Sequence, residues 1–347
     1  MPERPGDHGR RRAGWVAGAL MTVLLVVAVV LLVWHPPADL SLPNAPAPSD
    51  TSAPMDDDPV VARQTASLTV PESLRLPARS FEAEAGQTYL VQFRAAMEKP
   101  PGSQGSAMYF GASLACGGGP DGGTLRSVGG TQNVRTGERV VITNQFLLKV
   151  EHTGTHSCRL SVNSPNAEAA AAGVTAEVDS VWLAHRVEGE AFEASAEERL
   201  PRVVAPRERA AVFRFTLDHE GDPAVPEQLL STVHLTACTM VNGSIEDGQA
   251  WCESGETDAR GSSLELTYRE DVLRSDGEVC SSRLLASHDT QIARLTHHQV
   301  LDTTLTTTDP PSSCGPTVRY VVAVENAGPA PVVVHRSNTT LIVLAEQ

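Results

Sequence analysis

The chain has 347 residues, with 27 Lys+Arg against 42 Asp+Glu and a formal net charge of −15. Residues 1–12 hold four arginines against Glu3 and Asp7, a balance of +2, which leaves about −17 for everything that follows. A surface this acidic repels polyanions and argues against nucleic acid as a partner, while the length allows two domains of ordinary size.

Ala13 to Trp34 is an uncharged run, AGWVAGALMTVLLVVAVVLLVW. A helix crossing a bilayer needs roughly 20 apolar residues, so the run predicts a single transmembrane signal-anchor helix in contact with lipid. Arg10, Arg11 and Arg12 precede it and no basic cluster follows, which places residues 1–12 in the cytoplasm and the remainder outside the cell membrane. Trp15 and Trp34 lie near its two ends, where indoles favour the headgroup interfaces. The competing reading is a cleaved signal peptide, whose apolar core is normally ~7–15 residues. The nearest small-x-small site, Ala45-Pro46-Ala47, lies well beyond the run and is followed by Pro48.

Residues 35–64 are dominated by Pro, Ala, Ser and Asp without apolar periodicity, and predict a semi-extended, disordered stalk. Its acidic run Asp56-Asp57-Asp58 reads as solvated linker charge rather than a cation site.

Alternation then takes over. Tyr89, Val91 and Phe93 share one face of a strand, and Val174, Ala176, Val178 and Trp182 share another. Gly/Pro-rich turns separate these runs, and Gly117 to Gly123 reads as a hairpin loop rather than a phosphate cradle. Only Asn166 to Ala172 leans towards helix. A second block repeats the pattern, with Phe213, Phe215 and Leu217 expected inward. The two blocks align with each other: the stretch from Leu76 to Phe93 with that from Leu200 to Phe215, and SLAC ending at Cys116 with LTAC ending at Cys238. The expected fold is all-β, two tandem antiparallel sandwiches of jelly-roll or immunoglobulin-like type, over residues 65–187 and 188–347.

All six cysteines, Cys116, Cys158, Cys238, Cys252, Cys280 and Cys314, follow the apolar run, and in an oxidising compartment an even set reads as three disulfides. Cys116 and Cys158 stand alone in their block and should pair. The other four allow three connectivities. The repeat offset favours Cys238–Cys280 with Cys252–Cys314. The likeness of Thr290-Gln291 to Thr131-Gln132 favours Cys238–Cys314 with Cys252–Cys280, the preferred assignment.

HTGTHSCRL, His152 to Leu160, resembles the corner before the second cysteine of immunoglobulin-like domains, with His156 where that family has Tyr. No Trp follows Cys116 at that family's distance. The pattern LTAC…WC…C…SC over Cys238, Cys252, Cys280 and Cys314 resembles uncharacterised single-pass, membrane-anchored extracellular β-sandwich proteins of actinobacterial type. That resemblance implies anchor and fold and assigns no site residues.

Chemistry is sparse. There is no GxSxG, SxxK, CxxC or HExxH, so neither a catalytic residue nor a metal or cofactor site is expected. Ser287-His288-Asp289 holds triad letters, but neighbours in a strand face opposite ways. His297-His298 reads as exposed polar residues, and Asp218, Glu220 and Asp222 as a polar turn rather than a Ca²⁺ site. The sequons at Asn242 and Asn338 would matter in a eukaryotic source. Trp251, beside Cys252, is the single candidate ligand-contacting aromatic.

These features describe a membrane-anchored extracellular binding or structural protein without catalytic activity, its protein or polysaccharide partner unspecified. The alternatives are a carbohydrate- or cell-envelope-binding module and a cryptic extracellular hydrolase. Deleting residues 1–34 is expected to move the protein from the membrane to the soluble fraction. An intact mass showing a mature N-terminus beyond residue 47 would establish cleavage instead.

Overall fold

Strict alternation sends one face of each strand inward, and two apolar cores result. The computed structural model describes residues 59–101, 107–118, 124–164, 173–218, 227–240, 252, 257–307 and 314–345. The expected cytoplasmic tail (1–12), the apolar run 13–34, Asp56 to Asp58, Asn166 to Ala172 and Trp251 lie outside these residues. Among the described residues no helix is long and apolar enough to cross a membrane.

The first sandwich comprises β1 (Val60–Thr69), β2 (Glu72–Arg75), β3 (Arg79–Ala83), β4 (Thr88–Glu98), β5 (Ala107–Gly118), β6 (Thr124–Arg135), β7 (Arg139–Lys149), β8 (Gly154–Ser164) and β9 (Thr175–Arg186). One sheet runs β1-β9-β4-β7 and the other has the interrupted strand β2/β3 beside β8, then β5 and β6. Tyr89, Val91, Phe93, Ala176, Val178 and Trp182 meet in the core between them, as their alternation predicts. Residues 60–64, assigned to the stalk from their composition, are instead the first half of β1, with Val60 to Gln64 paired to Ala184 back to Ser180. β-sheet pairing overrides a linker-like composition there.

The second sandwich comprises β10 (Ala191–Ala194), β11 (Arg202–Val204), β12 (Arg209–Asp218), β13 (Glu227–Ala237), β14 (Ser262–Leu273), β15 (Val279–Ile292), a single 3₁₀ turn (Arg294–Thr296), β16 (His298–Thr307), β17 (Thr317–Asn326), β18 (Val332–Val334) and β19 (Thr340–Ala345). β10 and β11 form one interrupted edge, paired with β19 and β18. These pair with β13, and β13 with β16. The facing sheet runs β12-β17-β14-β15. Counting interrupted strands once, both sandwiches have strand order 1-8-3-6 against 2-7-4-5, the jelly-roll arrangement rather than the immunoglobulin one.

This order corrects the internal repeat. By sheet position β4 corresponds to β13, so aligning β3–β4 with β11–β12 is one strand out of phase. A bulge between Ala211 and Phe213 also shifts the alternation in β12. Val212 and Phe213 are both fully buried there, while Phe215 and Leu217 are only partly covered.

The disulfides follow the true topology. Cys116 and Cys158 sit opposite each other on β5 and β8 and are bonded, as expected. In the second sandwich the bonds are Cys238–Cys252 and Cys280–Cys314, the connectivity that neither sequence argument favoured. Both arguments borrowed a phase the sheets do not have. Cys238 follows β13 directly and, with Cys252 and Val333, forms a small buried cluster. The chain entering β17 passes over the end of β14, where a Cβ on Gly315 would meet the Leu273 carbonyl oxygen at 1.9 Å. That glycine lets Cys314 reach Cys280 on the far neighbour of β14. Closed loops of 42, 14 and 34 residues mark a chain matured in an oxidising environment. On the loop-entropy model each bond contributes about 3–4 kcal/mol. Non-reducing peptide mapping is expected to recover 238–252 and 280–314 linked peptides. A 238–314 link would overturn this assignment.

Candidate functional site: the seam between the sandwiches

The outer face of the sheet containing β13 is not solvated, although its sequence is largely polar. On β13, Leu229, Val233 and Leu235 point into the second core, while Leu230, Thr232, His234 and Thr236 alternate outward and are buried nonetheless. What covers them is the first sandwich, whose strands β6 and β7, the edges of its two sheets, lie against β10, β13, β16 and β19. Covering β6 and β7 also hides strand edges that would otherwise be open to pairing.

Apolar contact supplies part of the attachment. Leu90 and Leu147 of the first sandwich meet Leu230 and Ile342 of the second in a separate buried cluster. Val300 of β16 packs onto the core of the first sandwich itself. It enters over Gly130, where a Cβ would stand 2.8 Å from Ile142 Cγ2 and 2.9 Å from Val300 Cγ2.

Polar groups set the register of this docking. The buried Asn144 donates from Nδ2 to the carbonyls of Gly129 (2.6 Å) and Asn338 (2.8 Å), and its Oδ1 accepts from Thr340 Oγ1 (2.9 Å). Asn338 returns an acceptor, Oδ1, to the Gly129 amide at 2.8 Å. It holds φ +63, a left-handed conformation that Asn tolerates better than most residues. Asp302 accepts from Thr232 (3.3 Å) and, across the seam, from Thr143. Burial raises its pKa above the ordinary carboxylate value.

At one end of the seam is a cluster of imidazoles. His234 Nε2 lies 2.6 Å from Thr131 Oγ1, and its ring stacks on that of His335 with centroids 4.6 Å apart. Thr236 Oγ1 is 2.8 Å from both His298 Nδ1 and His335 Nε2. The His298 amide donates to Asn133 Oδ1 (2.8 Å), and its ring meets Tyr109 edge-on. The expectation of exposed residues at 297 and 298 is therefore corrected: both are part-buried, and the second sits in the seam. Burial, then the neighbouring imidazoles, lowers His298 to about 2. Burial and His335 lower His234 to about 3, and burial lowers His335 to about 4. These rings are neutral at pH 7.

At the other end the sandwiches enclose an open cleft of about 460 Å³. Arg126, Lys149 and Glu151 come from the first sandwich, and Glu193, Ser195 and Arg336 from the second. Glu193 ties the walls together by pairing with Arg126 and accepting the Leu147 amide at 3.2 Å. Lys149 and Arg336 are exposed and make no ion pair among the described residues. The volume is within the usual range for a small-ligand site.

The other candidates fall elsewhere. Ser287 donates to Glu265 (2.6 Å) while the His288 ring meets Tyr268 edge-on, so the adjacent triad letters do not converge. Asp218 accepts from Thr317 (2.8 Å), and Glu220 and Asp222 lie outside the described residues. Gly117 pairs with Thr124 at the mouth of the β5–β6 hairpin. Among the described residues no group of three His, Cys, Asp or Glu could hold a metal ion. Sequence reading missed the seam because Leu230-Thr232-His234-Thr236 has the polarity of a solvated strand face. The signal it did offer was the amide pair Asn144-Gln145 inside the otherwise apolar strand VVITNQFLL and the glycine pair Gly129-Gly130 in VGGTQN.

No family model matches the chain and no curated protein does. Among solved structures it is similar to the tandem CBM22 modules of Xyn10C from Paenibacillus barcinonensis, at 11% identity over 84% of this chain and 95% of that one, TM-score 0.24. It is similar at 7% identity to a peptide-N(4)-(N-acetyl-β-D-glucosaminyl)asparagine amidase, over 83% of this chain and 100% of that one, TM-score 0.29. The PBSX exported protein XepA matches at 10% identity over 83% of this chain and 86% of that one, TM-score 0.22. At these scores the architecture rests on strand order, and the chain is assigned to no family.

Proposed function

We propose that the protein is a membrane-tethered, outward-facing binding protein without catalytic activity, and that its ligand seat is the cleft between the sandwiches. The observation that carries the reading is that cleft: its walls come from both jelly rolls, and Lys149 and Arg336 are cations without acidic partners among the described residues, in a chain of net charge −15. A cationic recess on an acidic surface selects a ligand bearing a localised anionic group, such as a carboxylate, and repels extended polyanions less locally than the rest of the surface does. The tether is supported by Arg10 to Arg12 ahead of the uncharged run 13–34, and export by the three disulfides.

The test uses Met55–Gln347, which includes all of β1, as bait against cross-linked surface extract, with the double variant Lys149→Glu/Arg336→Glu alongside. Retention of a specific partner by the native protein, weakened roughly tenfold or more by the variant at unchanged melting temperature, is the expected result; tenfold corresponds to about 1.4 kcal/mol. Equal retention by both proteins would remove the cleft from the reading. A folded bait that retains nothing would point to a spacer. Turnover in an ester, glycoside and peptide screen would overturn the absence of catalysis.

A further inference from the structure

The imidazole cluster adjoins the cleft, whose lining residue Thr339 accepts the His234 amide at 3.0 Å, but the proposed function does not use its rings. His234, His298 and His335 project from three segments of one sandwich onto the surface that the other covers. Three contacts at this cluster cross the seam: Thr131 Oγ1 with His234 Nε2, Asn133 Oδ1 with the His298 amide, and Tyr109 with the His298 ring. We propose that this cluster makes the seam an acid-sensitive clasp, in which neutral imidazoles keep the two jelly rolls docked and protonation releases them.

The geometry gives the reason. The single hydroxyl proton of Thr236 satisfies His298 Nδ1 or His335 Nε2 only if that nitrogen is bare. When both rings carry a proton on every nitrogen, both donate to Thr236 Oγ1 and neither accepts its hydroxyl proton. Charged rings of His234 and His335, which stack, would stand 4.6 Å apart, and those of His297 and His298, tilted to each other, 4.3 Å apart. The groups acting electrostatically on His298 are His297, His234 and His335, all cationic when protonated. For His234 the Ser337 backbone favours charge, against burial and His335. The other titratable or charged residues on the elements packed here are Tyr109 on β5, Arg126 and Arg135 on β6, Arg139 and Lys149 on β7, Glu227 at the start of β13, Arg294 in the 3₁₀ turn, Arg336 after β18 and Asp302 further along β16. Of these Asp302 and Glu227 are acidic, and Glu227 pairs with Thr307 at the far end of β13.

The sign follows from linkage. Burial is the largest cause holding each imidazole below its free value of 6.5, and undocking removes the part of it that the first sandwich supplies, so the undocked state binds more protons. Docking is therefore fully stabilised above about pH 6.5 and loses stability as pH falls towards 4. Asp302 acts in the opposite direction, because its raised pKa favours the docked form on protonation, but it is one group against three.

The test is hydrogen exchange of the full chain in detergent from pH 7.5 to 4.5, corrected for the intrinsic pH dependence of exchange. Peptides from β7 and β16 are expected to lose protection at least tenfold between pH 7 and 5, while β9 and β17 in the sandwich interiors keep theirs. His335→Gln, and separately His298→Gln, which leaves the backbone bond to Asn133 in place, should flatten that profile. Flat protection of β7 and β16 in the native protein would overturn the proposal. So would loss of β9 and β17 in the same step, which is global acid unfolding, or a native profile retained in a folded variant. Should both variants fail to fold, the native profile of seam against interior still decides.

Discussion

The fold of this protein depends on covering one sheet face with two strand edges. A jelly roll closes its core between two sheets but leaves outer faces and edge strands to be managed. Here β6 and β7, the terminal strands of the first sandwich's two sheets, rest on the outer face of the sheet that contains β13. That contact buries Leu90, Leu147, Leu230 and Ile342 and seats Val300 on a core to which its own strand does not belong. Linked sandwiches without such a contact would hinge about the short segment after Arg186. These two are joined by side chains at the level of their cores.

The seam is selective because its middle is polar and fully engaged. Asn144 uses both its donor and its acceptor across or along the seam, and Asn338 answers it from a backbone conformation few residues adopt readily. An apolar seam would tolerate sliding, whereas buried amides left unpaired by a shift of one residue each cost about 1–3 kcal/mol. Register is thereby fixed, and with it the two ends of the seam. One end is the cleft held by Glu193 between Arg126 and the Leu147 amide, and the other is the imidazole cluster. The cleft has walls from both sandwiches and exists only in the docked pair, whereas the imidazole cluster belongs to the second sandwich and is covered by the first.

Much of the architecture was legible in the sequence, and the reason is local. The inward faces of β4 and β9 are visible in Tyr89-Val91-Phe93 and Val178-Trp182, because period-two alternation depends only on which residues lie on one side of one strand. The pairing of Cys116 with Cys158 was legible by elimination. The second pair of disulfides was not. It depends on which strands are neighbours in a sheet, and two jelly rolls of alternating apolar residues align with each other almost equally well one strand out of phase. The bulge in β12 was likewise invisible, since a bulge is defined by a partner strand.

By itself the sequence determined an uncharged run preceded by arginines, a chain with three disulfides, and strands rather than helices. Each of these follows from composition or from the spacing of residues along one segment. Tertiary structure alone decided the jelly-roll order, the bonds Cys238–Cys252 and Cys280–Cys314, and the burial of His234, Thr236 and His298. A polar strand face reads as solvated until another surface is placed on it, and that surface comes from residues more than 100 positions away, as Thr131 and His234 do.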